Sequence, residues 1–183
     1  MMAASKKEYG DFSCPFFGNQ DAKIVHISQA PSLSVIKNQK PFSDKSGKKL
    51  RKEWYNISDE TFYNPDNFYF TAIGMYFPGK DAKGADKKPT YNWAEKWLKK
   101  ELKYLNPDLF IIVGKVAADF FFPKQDFNKL VFSDQAINEI ETIVLPHPSP
   151  ANIRWFMQHP DFKEKRLPEI QKIIHKALDE INY

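Results

Sequence analysis

The chain has 183 residues, 42% of them hydrophobic and 15% aromatic, and carries a net charge of +4. That is too apolar for a disordered chain, and the length suits one packed domain over residues 1–183 while being short for two. No run approaches the roughly 20 continuous apolar residues of a membrane helix, residues 1–10 lack the apolar stretch of a secretion signal, and a lone Cys14 can close no internal disulfide and hold no zinc or iron–sulfur centre by itself; a reduced, cytoplasmic, monomeric protein with no metal and no cofactor is expected.

Cys14, in Cys14-Pro15-Phe16-Phe17, reads as a small buried apolar residue. The first strand is expected over 23–27, with His26 packed inside it. A long loop follows, Ser28-Gln29-Ala30-Pro31-Ser32 and then Pro41-Phe42-Ser43-Asp44 up to Leu50. Asp44 suits a turn or a helix cap, with a catalytic carboxylate as the alternative. Phe42 either packs or faces a ligand, and Gln29 either binds one or caps its own loop. The second strand is expected over 68–73. It leads into the lysine- and glycine-bearing loop 78–89, which holds Asp81 and Asp86 and reads as a solvated segment or a cleft lid.

A helix is expected over 91–104, with Trp93, Trp97, Leu98, Leu102 and Leu105 on one stripe and Asn106-Pro107 ending it. The third strand, 109–113, is continuously apolar, as strands buried on both faces are. A helix over 115–122 starts after Gly114 and stops at Pro123. The fourth strand, 142–145, runs into Pro146-His147-Pro148-Ser149-Pro150-Ala151-Asn152 and then Arg154-Trp155. The last helix is expected over 168–181, with Ile170, Ile173, Ile174, Ala177, Leu178 and Ile181 inward. His159 and His175 read as surface residues, and Trp155 as an anchor against that helix.

Strands alternating with helices predict a three-layer α/β/α sandwich around a central four-stranded parallel sheet. In such sheets the ligand cleft lies beyond the carboxyl ends of the strands. Attention therefore falls on the loops beginning at Ser28, Gly74, Gly114 and Pro146. Prolines 148 and 150 stiffen the last of these, so that the Ser149 hydroxyl and nearby N–H groups meet a phosphate in fixed geometry. His147, at a strand end, is placed to donate a hydrogen bond into the cleft. Lysines concentrate in 37–52 and 80–88, each segment being either a solvated surface or a phosphate-facing patch.

His147-Pro148-Ser149-Pro150 after the last strand resembles the signature loop of the uracil-DNA glycosylase superfamily. The loop at Gln29-Ala30-Pro31 is similar to that superfamily's first motif, 41–50 to its aromatic stacking segment, and 105–118 to its third-strand segment, all in order over residues 14 to about 175. The resemblance implies the uracil-DNA glycosylase-like fold and cleavage of a base–deoxyribose bond in DNA, the base being flipped into the cleft. It implies Phe42 stacking on that base with Ala30 and Ala72 around it, and Gln29 and His147 as the catalytic residues, His147 stabilising the departing base through its O2. It implies Pro148, Ser149, Pro150, Asn152 and Arg154 as the DNA contacts, with Asn152, Ile153 or Arg154 filling the gap left in the duplex.

The sequence departs from the superfamily's pattern in the first motif and at the end of the second strand. Ala30 stands where the most active members carry an aspartate after a glutamine; other members have alanine there but a glutamate one residue earlier, where this chain has Gln29. Ala72 stands where an asparagine reads the base edge. Three functions are compatible with these features: excision of uracil or another damaged base, nucleic-acid binding by a glycosylase fold that has lost catalysis, and hydrolysis of a small molecule.

Overall fold

A computed structural model describes residues 6, 7, 10 and 17–179; Cys14 and Ile181 lie outside them. Five strands form one sheet in the order β2-β1-β3-β5-β4: β1 Ile24–Ser28, β2 Phe68–Ala72, β3 Leu109–Val113, β4 Gln135–Ile137 and β5 Ile140–Leu145. The pairs β1–β2, β1–β3 and β3–β5 are parallel. The expected four-stranded parallel sheet is thus present, with one addition. β4 pairs antiparallel with the first half of β5 through the turn residues Asn138 and Glu139, both of positive φ. Three residues of mixed polarity carry no periodic signal of a strand; the tight turn and the partner strand create it.

The helices are α1 Leu33–Asn38, α2 Lys45–Lys49 continuing with π winding over Leu50–Tyr55, and α3 Asp59–Tyr63. Next come α4, which passes from Ala94–Leu98 through Lys99–Glu101 to Leu102–Tyr104, then α5 Lys115–Phe121 and α6 Phe127–Val131. The last are α7 Ile153–Gln158 and α8, which opens with a π turn at Phe162–Arg166 and runs on as Leu167–Ala177. Ser32, Asp44, Ser58 and Asp126 start α1, α2, α3 and α6. Each accepts from the backbone N–H three residues ahead, so one otherwise unpaired donor per helix is satisfied. None of the described helices is long and apolar enough to cross a membrane.

Strand alternation assigns the layers. On β1 and β2, His26 and Phe70 face α2 and α3: the His26 ring bonds the Tyr55 hydroxyl at 2.8 Å, and the Phe70 ring packs on Phe62. On the opposite face Tyr69 and Thr71 both donate to buried Glu101 of α4, at 2.6 and 3.0 Å. Burial raises the Glu101 carboxyl above the usual carboxylate range. β3 is buried over its whole length, as its unbroken apolar run predicts. On α4, Trp93 and Leu98 are buried and Trp97, Leu102 and Leu105 half-buried; on α8, Ile170, Ile174 and Leu178 reach the core.

One expectation for a single residue is corrected: His175 is buried, and its ring bonds the Tyr55 carbonyl at 2.9 Å, because α8 packs on the end of α2. Trp155 does pack on the last helix, its ring 5.5 Å from that of Phe162 in the first turn of α8. It also holds α6: its indole N–H donates to Asn128 Oδ1 at 2.9 Å and its ring meets Phe132 and half-buried His159.

Candidate active site

The carboxyl ends of the parallel strands open on a cleft of about 570 Å³, within the range of small-ligand sites. Gln29, Ala30, Phe42, Ala72, His147, Ser149 and Asn152 all line it. Pro148 is buried beneath its loop, and Pro150 and Arg154 are exposed beyond the cleft wall. The two side chains on which the base-excision reading turns, Phe42 and His147, therefore share one cavity, although 105 positions of sequence separate them.

Phe42 occupies an unusual backbone position, at φ 50°, where a non-glycine residue is strained. Three neighbours hold it there. Its carbonyl accepts from Arg51 Nη1 at 2.8 Å and from the Tyr63 hydroxyl at 3.2 Å, and Arg51 is itself buried and paired with Asp59. The third is Gly47: a Cβ there would lie 1.8 Å from the Phe42 carbonyl oxygen. The Phe42 ring leans on His26, at 4.7 Å between centroids, on Phe70 and on Phe62, and the half-buried residue lines the cleft. Sequence reasoning missed Arg51, Gly47 and Tyr63 as supports. Only the Ser46-Gly47 pair in a lysine-rich stretch hinted that backbone passes close by.

His147 lies beside Gly114, where a Cβ would make only an ordinary van der Waals contact, 3.8 Å from the ring carbon Cδ2, so the φ of 89° is what calls for glycine there. The Ser149 N–H donates to His147 Nδ1 at 3.2 Å. An accepting Nδ1 carries no proton, so the neutral ring bears its hydrogen on Nε2. His147 is exposed where it lines the cleft. Partial desolvation by the surrounding protein lowers its pKa below the ordinary histidine value, and the charges of Asp44 and Asp86 only partly offset it. His147 is therefore a neutral donor near neutral pH, suited to a developing anion.

The rest of the loop is built around this histidine. The Asn152 amide donates to the His147 carbonyl at 3.1 Å, and Ser149 Oγ accepts from Ala151 N–H at 3.3 Å. Gln29 fastens the first loop through its backbone, its carbonyl accepting from Gly74 N–H at 3.2 Å. Its side-chain amide makes no hydrogen bond with the described residues, so it caps nothing and is available to a ligand. Ala72 packs with Val35, Met75 and Trp93 and brings no polar atom to the cleft.

The segment 78–89 is not loose. Lys80 and Asp86 pair across a short antiparallel bridge, the Lys80 ammonium reaching Asp86 at 2.9 Å. Asp81 accepts from the N–H groups of Lys83 and Ala85. Pro78, Lys80, Ala85, Asp86 and Lys87 form one wall of the cleft. Among the described residues no group of three or more histidine, cysteine, aspartate or glutamate side chains is arranged to hold a metal ion.

Comparison with known protein families gives a match over residues 15–171 to the family described as the uracil DNA glycosylase superfamily.

Proposed function

This chain belongs to the uracil DNA glycosylase superfamily, and from that premise we propose that it is a DNA glycosylase that draws uracil or another damaged base into the cleft and hydrolyses its bond to deoxyribose. The observation that carries the reading is the convergence of Phe42 and His147 on one cavity. The aromatic ring offers a stacking face, worth roughly 1–3 kcal/mol per base. On this reading the Nε2–H of His147 donates to the departing base as that base gathers negative charge. A donor whose ring is held in advance by the Ser149 amide stabilises the charge without reorganising.

The flanking groups extend the same reading. The free Gln29 amide offers one donor and one acceptor to a base edge, and Ala30 and Ala72 leave room beside it. On this reading Ser149 and the exposed Arg154 contact phosphates on either side of the flipped nucleotide. Exposed Ile153, next to Asn152 at the start of α7, is available to fill the vacated stack.

The test is a panel of single- and double-stranded oligonucleotides carrying uracil, hypoxanthine and other damaged bases. Wild-type protein is expected to release base from at least one of them, and His147→Ala to lower the rate by roughly 100-fold or more. One observation favours a second reading, a glycosylase fold that binds nucleic acid without cutting: the apolar Ala72 at the strand end leaves the base edge with fewer polar contacts. Salt-sensitive DNA binding with every base left intact would select that reading.

A further inference from the structure

Hydrolysis of a base–sugar bond separates charge. The base leaves with the bonding electron pair, and the sugar is left cationic at C1′. A neutral histidine serves the anion only, so the cation needs a negative group in the same cleft, and two carboxylates line it, Asp44 and Asp86. Asp86 is committed to the Lys80 ammonium at 2.9 Å. Asp44 has no cationic partner among the described residues. Its Oδ1 accepts from Gly47 N–H at 2.9 Å, which fixes the carboxylate against the start of α2 and leaves Oδ2 unused. It lies two residues after Phe42, on the loop that would hold the base.

We infer that Asp44 is a catalytic carboxylate of this cleft, stabilising the sugar cation and accepting a proton from the attacking water. The inference rests on the glycosylase reading above and deepens it. In the step, the C1′–N bond breaks with its electron pair on the base, and the water oxygen bonds to C1′. One water proton passes to Asp44 and on to solvent, and the base anion takes up a proton from solvent. The same carboxylate thus has two tasks, capping α2 through one oxygen and facing the sugar with the other.

Asp44→Asn separates these tasks, because asparagine caps a helix as well as aspartate does. Two readouts are made with the full chain. The first is single-turnover base release, where Asp44→Asn is expected to cost roughly 100-fold with little change in substrate affinity, while Asp86→Asn, at a carboxylate committed to Lys80, costs far less. The second needs no turnover. Single-stranded oligonucleotides carry either a cationic pyrrolidine or a neutral tetrahydrofuran in place of the target sugar, and their dissociation constants are compared. Wild type and Asp86→Asn are expected to prefer the cation by roughly tenfold or more, and Asp44→Asn to lose that preference. Base release unchanged by Asp44→Asn, or an equal cation preference in wild type and Asp44→Asn, would overturn the inference while leaving the glycosylase reading intact. A cation preference that depends on Asp44, in a wild-type protein that releases no base from any substrate, would uphold the carboxylate site and sink the glycosylase reading instead.

Discussion

At residue 42 the chain holds an aromatic side chain on a backbone conformation it would not choose. The Arg51 and Tyr63 bonds and the missing Cβ of Gly47 together outweigh that local preference. Gly47→Ala is therefore expected to lower stability by about 1–3 kcal/mol, as overpacking does, and to weaken base release by moving the ring. Urea denaturation and single-turnover rates check the two effects. A variant as stable and as active as wild type would show that the close approach can relax at no cost. The identities of the two facing side chains were legible in the sequence, because a proline-flanked histidine after a strand and a phenylalanine in a long loop both stand outside any periodic face. Their support was not. Arg51 and Tyr63 lie 9 and 21 positions from Phe42, and nothing local marks a carbonyl that will need them.

Elements whose own composition decides them were foreseen closely. β3 occupies 109–113 as expected, since five consecutive apolar residues suit only a strand buried on both faces. Those decided by partners are legible only in part: Asp44 reads as a turn or helix cap and does cap α2, but the lysine-rich stretch with Gly47 behind it takes helical form through the burial of Leu50, Trp54 and Tyr55. The lysine-rich segments resolve differently from one another. In 78–89 a paired turn forms a cleft wall, while Lys45, Lys48, Lys87 and Lys88 are exposed and have no ion-pair partner among the described residues. If these cations meet phosphates, each Lys→Ala variant weakens binding to single-stranded DNA of any sequence. Each also reduces the slope of log affinity against log salt by about 0.7. Titrations at several salt concentrations measure this, and an unchanged slope would assign that lysine to solvated surface alone.

Across the whole molecule, the sheet joins the site to its foundation through His26. This histidine is fully buried under Phe42, and burial lowers its pKa from 6.5 to about 3. The unfolded chain binds a proton at this ring below pH 6.5, whereas the folded one refuses it until about pH 3. Stability therefore falls with acidification through that window, by about 1.4 kcal/mol per pH unit at the steepest. Urea midpoints measured from pH 7 to pH 4 are expected to decline accordingly, with a shallower decline in His26→Gln. Equal slopes in the two proteins would move the acid sensitivity to other groups.

The ends of the sheet carry a last consequence. β4 is three residues long and stops at a tight turn, and the outer side of β2 is met by Phe17, whose carbonyl accepts from Phe70 N–H at 2.7 Å. An incoming strand finds too few free amides on either flank to extend the ladder. Growth by backbone pairing with a neighbouring polypeptide is thereby discouraged on both margins, and a long, flexible guest is steered toward the loop-built rim above the strand tips.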